Sequence, residues 1–339
     1  MSENSTATVG DAPSASPTRG PRRPSPRGAP TATIARRHRL SRLDVRLSPY
    51  LYVLPFFLVF AVIGLYPLLY TGYLSFFSWP RFGADHGPWI GWANYSHVLH
   101  DPVFHKALWN TIGIFLLSSV PQIAVATVVA ALLDTTLRGR TWWRMSVLLP
   151  FVVAPAAAAL IFGALFADKS GLVNQILSGI GLPEISWHSN RPASWLAIAT
   201  MVNYRWTGYN ALIVLAAMQA IPRDLYEAAA IDGASRVKQF FHVTLPSIRP
   251  TMIFVIVTST IGGLQIFTEP RLFDTNLQHQ GGANYEYQTL TMYVFNTANS
   301  STDPYPRAAA AAWILFLIIV AFALVNFVVT RAVQRRSHT

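Results

Sequence analysis

Hydrophobic positions fall along this chain in long blocks, not at helical or strand intervals. Six blocks stand out, at about 50–77, 109–133, 145–166, 194–218, 251–267 and 307–330. Most exceed the ~20 residues a helix needs to cross a ~30 Å hydrocarbon core. A helix apolar on every side has no water-facing stripe and belongs in lipid or deep in protein. The fifth block is shorter and ends in the polar residues Gln265 and Glu269. Pro55, Pro67, Pro121, Pro150 and Pro155 lie inside or beside the blocks. Spanning helices tolerate proline where neighbours re-satisfy the freed backbone groups. The pattern predicts an all-α integral membrane protein with six transmembrane helices.

Residues 1–49 are rich in Ser, Thr, Pro, Ala and Arg and nearly devoid of large apolar side chains. Such a segment cannot bury enough surface to offset its ordering entropy, which predicts a disordered N-terminal tail. Two domains result, a disordered basic tail over 1–49 and a transmembrane domain over 50–335. The pairs Arg22-Arg23 and Arg36-Arg37 suggest twin-arginine export, but no apolar stretch follows either directly. The block that opens at Tyr50 is too long for a signal-peptide core. The tail therefore reads as a retained cytoplasmic flank.

Composition agrees with a membrane solvent. Charged residues make up 12% of the 339, about half the ~25% of a soluble domain. The net charge of +11 would suggest nucleic acid in a soluble protein. Here the cations cluster at block ends, so the charge sets membrane orientation and implies no nucleic-acid partner. With the N-terminus inside, inner segments hold nineteen Lys and Arg and outer loops hold six. Both termini and the 222–250 loop are thus expected in the cytoplasm of a cell-membrane protein. The long outer loops are rich in Trp and Tyr, which mark the interface with lipid headgroups.

Reaction chemistry is missing. No GxxxxGK[ST], HExxH or GxSxG is present. The nine histidines show no ligand spacing and the chain has no cysteine, so no metal or thiol site is expected. Acids within the blocks are few, which argues against an ion-coupled secondary transporter. The chain is expected to be no enzyme, with no catalytic residue and no cofactor of its own.

One polar stretch separates blocks four and five: "YEAAAIDGASRVKQFFHVTLPSIRP", residues 226–250. Pro222 suits a first helical turn, and Asp224 and Glu227 complement the helix dipole. Gly233 suits a helix stop. Ser235 can cap a second helix, which Pro246 and Pro250 would end. A helix–turn–helix follows. Ala228, Ala229 and Ala230 admit a close backbone, so the pair can dock a partner. It can equally lie on lipid headgroups with Arg236 and Lys238 on phosphates.

The order Glu227-Ala228-Ala229, Gly233, Leu245-Pro246 resembles the EAA motif of ABC importer permeases, E-A-A-x3-G-x9-I-x-L-P, with Val243 in the Ile place. "LPFFLVFAVIGLYPLLYTGYLSFFSW" and "GWANYSHVL" followed by "ALWNT" are similar to the first span and following loop of the carbohydrate-uptake branch, that of maltose and glycerol phosphate permeases. The resemblance runs from Tyr50 to Arg335. It implies the type I ABC importer permease fold and a coupling helix docked on an ATPase, with Glu227, Ala228, Ala229, Asp232, Gly233, Leu245 and Pro246 forming the coupling loop. It further implies a second permease subunit, two ATPase subunits that bind ATP and Mg, an extracellular solute-binding (lipo)protein, and alternating access for a di- or oligosaccharide.

Block four carries "NYRWTGYNA". Arg205 inside a span is costly unless it faces a cavity or a partner. Tyr204, Trp206, Tyr209 and Asn210 offer stacking faces and hydrogen bonds of the kind a sugar needs; helix packing with a snorkelling Arg205 is the other reading. The resemblance places substrate contacts at Tyr204, Thr207 and Gly208, and on the next span at Gly263 and Gln265. Arg205, Trp206 and Tyr209 complete the candidate pathway. An anionic solute such as glycerol phosphate would need several cations, and only Arg205 and Arg271 are at hand.

Overall fold

The computed structural model describes residues 48–79, 87–135, 138–274, 281–300 and 304–336. The expected disordered tail, apart from its last two residues, lies outside the described residues. Those two, Ser48 and Pro49, already open the first helix, α1 (Ser48–Leu74).

The chain divides into two units. The first ends at Tyr66 and consists, among the described residues, of the start of α1. None of its side chains is buried, and Tyr50, Tyr52, Phe56 and Ile63 are all exposed. An apolar surface of this kind suits lipid tails or a partner's helix.

The second unit begins at Pro67 and holds all the other helices. They are α2 (Ala93–His100), α3 (Pro102–Leu133), α4 (Arg140–Val152), α5 (Pro155–Leu165), α6 (Leu172–Gly179) and α7 (Arg191–Gln219). A helix–turn–helix follows. Its first helix is α8 (Asp224–Ile231). The second, α9, runs over 236–247 as Arg236–Gln239, a wide π-turn at Phe240–Thr244, and Leu245–Ser247. Then come α10 (Arg249–Leu264), α11 (Thr268–Leu272), α12 (Leu290–Ala298) and α13 (Pro304–Arg336).

Among the described residues, four stretches are each long and apolar enough to cross a membrane: Ser48–Leu74, Pro102–Leu133, Arg249–Leu272 and Tyr305–Val328. The pair α4–α5, bent by 85°, makes a fifth. The fourth expected span is α7, 29 residues long. Its polar middle, with Asn203, Arg205 and Asn210, keeps it from matching the apolarity of the others.

Caps explain where helices outrun their apolar blocks. Asp101 accepts the Val103 N–H at 2.8 Å, with Pro102 in the first turn, so α3 starts one full turn and more before the hydrophobic run. Asn190 accepts the Ala193 N–H at 3.2 Å and starts α7 at Arg191. The third expected span is bent for a local reason. Pro155 has no N–H and its ring excludes the carbonyl one turn back, while Ala154 before it is held extended at ψ 135°.

The helices meet along an α3–α7 seam. Ile114 of α3 packs with Ala197, Ile198 and Met201 of α7 at one level. Ala130 and Leu133 pack with Val214, Leu215 and Met218 at another. Small residues allow this approach: a Cβ on Gly113 would run into the Trp195 ring. A third cluster joins α2 and α3 to α12 and α13 through Val98, Phe104, Tyr293 and Leu315.

Asn110 fastens the 281–289 segment to this frame. Its Nδ2 donates to the Tyr285 and Gln288 carbonyls at 2.8 and 2.9 Å. Its Oδ1 accepts from Arg191 Nε at 2.9 Å and Trp195 Nε1 at 3.3 Å. Trp195 Nε1 keeps a second acceptor in the Glu286 carbonyl at 3.2 Å, but the other three groups lose this partner if the amide is removed. Asn110→Leu is expected to cost on the order of 3 kcal/mol, because buried donors and acceptors are left unpaired. A fall in the thermal midpoint of the purified protein, with Gly179→Ala as the neutral control, would register it; no Cβ contact awaits at Gly179.

Candidate functional site

The fifth span is broken. α10 ends at Leu264, residues 265–267 leave the helix, and α11 resumes at Thr268. Non-helical backbone at membrane depth survives where it is covered by protein or lines a cavity. Both conditions hold here. The Ile266 carbonyl accepts from the hydroxyls of Thr289 and Thr291. On the other side the break frames a cleft of about 360 Å³, within the size range of small-molecule sites.

Four helices and the break line the cleft. α3 contributes Ser119 and Gln122, and α7 contributes Trp206, Tyr209 and Asn210. α10 brings Phe254, Thr258, Ser259 and Gly263, the break adds Gln265 and Phe267, and α11 just past it adds Thr268 and Glu269. Asn210 Nδ2 reaches Gln122 Oε1 and Ser259 Oγ, each at 3.3 Å, and so ties three helices together at the wall. Phe151 stacks on Tyr209 with ring centres 4.6 Å apart and meets Trp206 edge-on at 5.2 Å, which fixes both aromatic faces. Gly263 lets α10 close on α3, since a Cβ there would meet the Phe115 ring at 2.7 Å.

Arg205 is not on the cleft wall. Its Nη1 donates to Glu269 Oε1 at 2.8 Å, and the two side chains are only 7% and 10% exposed. It neither snorkels outward nor faces the cavity; it balances the acid that does. Of the other pathway candidates, Trp206, Tyr209, Gly263 and Gln265 line the cleft. Tyr204 is exposed and tilts against Phe162, 5.4 Å between centres. Thr207 does not line the cleft either. Gly208 is a contact point between helices: a Cβ there would overlap the backbone carbonyl of Val147 in α4. Sequence reasoning missed the α3 contribution, although Ser118, Ser119 and Gln122 interrupt an apolar run around Pro121 and could have drawn notice.

The helix–turn–helix forms as the caps imply. Gly233 takes φ +76°, and the Ala234 and Gly233 N–H groups return to the Ala229 and Ala230 carbonyls at 2.9 and 3.0 Å. That is a Schellman stop. Ser235 Oγ accepts the Lys238 N–H at 3.4 Å. Tyr226 and Thr244 join the two helices by a 2.9 Å hydroxyl bond. Pro222 lies before α8, not in its first turn. Pro246 does not end α9. The π-turn just before it absorbs the missing N–H, and the helix runs on to Ser247. Pro250 instead opens α10.

This pair has a free tip and an anchored root. Glu227, Ala228, Asp232 and Gly233 are exposed, and Ile231 between them is 87% exposed. Ala229 is half-buried and Pro246 exposed. Phe240 and Leu245 pack against the buried cluster of Leu133, Met218 and Ile248. No group of three or more His, Cys, Asp or Glu that could hold a metal occurs among the described residues.

Comparison with known proteins follows the same lines. A family model described as "Binding-protein-dependent transport system inner membrane component" matches residues 28–338. The chain is similar to the probable ABC transporter permease protein YurN of Bacillus subtilis (strain 168), 30% identical over 83% of this chain and 95% of that protein. It is also similar to the arabinooligosaccharides transport system permease protein AraP of Halalkalibacterium halodurans, 32% identical over 86% and 90%. A solved bacterial ABC transporter involved in the import of the acidic polysaccharide alginate has a chain that superposes with TM-score 0.73 at 22% identity, covering 87% of this chain and 99% of that one. That likeness shows the fold.

Gly208 offers a direct check on the α4–α7 approach that sets the aromatic wall. Gly208→Val pushes a side chain into backbone, which cannot yield as a side chain can. A loss of about 3 kcal/mol is expected. It would appear as a lowered thermal midpoint, with Tyr204→Phe, on an exposed ring, close to the parent.

Proposed function

The chain belongs to the binding-protein-dependent transport system inner membrane components, and from that premise we propose that it passes a di- or oligosaccharide inward through the cleft at 265–269. Members of this family are permease subunits of ABC importers, with ATP hydrolysed on a separate subunit. The chain is therefore a transport subunit and not itself an enzyme. The observation that carries the sugar reading is the cleft wall. It combines neutral amides and hydroxyls, which both donate and accept, with the fixed faces of Trp206 and Tyr209. A polyhydroxylated ring with one apolar face matches such a wall. The transport of arabinooligosaccharides by a relative supports the same reading.

The remaining parts of the machine follow as proposals. Two ATPase subunits bind ATP and Mg, a second permease subunit completes the membrane pair, and an external binding protein delivers the sugar. Both termini and the helix–turn–helix face the cytoplasm of the cell membrane, on the cation count. Glu227, Asp232 and Gly233, with Ile231 at the tip, enter the ATPase groove. Phe240 and Leu245 transmit its motion to the α3–α7 seam. α10 starts two residues after α9 and ends at the cleft, so movement of the tip is carried along one rigid helix to the break. Rigid-body rocking of this kind alternates access to a fixed site.

Ile231→Asp and Glu227→Lys both change exposed side chains and are expected to leave the fold intact. Each should reduce co-purification of the ATPase and lower ATP-driven uptake by at least about tenfold, as loss of a buried interface anchor does. Full ATPase binding and unchanged uptake in both variants would sink the reading.

A further inference from the structure

Among the described residues, the cleft wall carries one charged side chain, Glu269. Its Oε1 is taken by Arg205. Its other oxygen has no hydrogen-bond partner among the described residues and remains to accept a hydroxyl proton. The second cation near the break, Arg271, is also occupied: its guanidinium lies 5.0 Å above the Phe295 ring and does not reach the cleft lining. Every other polar group on the described wall is neutral: an amide, a hydroxyl, the Trp206 indole or a backbone group.

We propose that Glu269 is the charge-selecting residue of this permease: it admits uncharged polyhydroxylated solutes and turns away anionic ones, with Arg205 held behind it as its counter-charge. The proposal rests on the cleft being the solute's path, as argued above. A neutral sugar hydroxyl can donate to the free carboxylate oxygen. A carboxylate, sulfate or phosphate on the solute would face a like charge, with no cation among the described residues of the wall to answer it. Like-charge juxtaposition of this kind is a common way to reject the wrong ligand. The arrangement is also convertible. Glu269→Gln would leave a guanidinium just behind the wall with no counter-charge, which favours an anion in the cleft. Arg205→Gln together with Glu269→Gln would leave a neutral wall.

The chain contains no cysteine, so Thr258→Cys places its single thiol in the cleft. In the complete importer, the rate at which N-ethylmaleimide modifies this chain would be followed while glucose or glucuronate is titrated in. With Arg205 and Glu269 in place, glucuronate should protect at least about tenfold more weakly than glucose. In R205Q/E269Q the two sugars should protect within about threefold of each other, and in E269Q glucuronate should become the better protector. A buried arginine without its partner can prevent folding; the comparison of the parent with R205Q/E269Q then decides alone. An unchanged ratio of glucuronate to glucose protection between those two overturns the charge-selection proposal. Failure of both sugars to protect in every background overturns the reading of the cleft as the path, and the proposal with it.

Discussion

A guanidinium inside a membrane helix needs a counter-charge close by, and Arg205 finds it 2.8 Å away in Glu269. That pairing constrains much else. Glu269 sits just past the break in the fifth span, so the pair holds the start of α11 against the middle of α7. With α11 held there, the 265–267 segment must leave the helix, and its carbonyl at Ile266 must find Thr289 and Thr291. The space left between α3, α7 and α10 is the cleft. Removing one member of such a buried pair typically costs about 3–5 kcal/mol, because the other is left uncompensated.

The molecule joins this site to a second one without an intervening flexible link. The exposed tip at Ile231, the packed root at Phe240 and Leu245, and the uninterrupted α10 form one mechanical series. The Schellman stop at Gly233 and the Tyr226–Thr244 bond keep the two short helices at a fixed angle, so a push on the tip is not lost in the turn. The Asn110 bonds hold the 281–289 segment, where Thr289 supports the break. The cleft and the exposed tip thus rest on the same α3–α7 frame.

Much of this was legible in the sequence where the cause is local. Apolar blocks gave the spans, and the order of Ser235, Gly233 and the acidic first turn gave the helix–turn–helix. Half of the pathway candidates on α7 and the fifth span, namely Trp206, Tyr209, Gly263 and Gln265, sit on the cleft wall. What could not be read depends on partners far apart in the chain. Arg205 and Glu269 are 64 residues apart. Nothing near Glu269 marks it as more than a polar exit from a short span. Gly208 looked like part of a sugar-binding stretch and is instead the point where α4 touches α7. Pro246 looked like a stop, but a π-turn lets the helix pass it.

The central claim is that Arg205 and Glu269 act as a unit to hold the broken span. A double-mutant cycle on the thermal stability of the purified permease, using Arg205→Gln, Glu269→Gln and the two combined, tests it most directly. Each single change should destabilise strongly, and the combined change should cost less than the sum of the two, since no charge is then left unpaired. Strictly additive losses would contradict it.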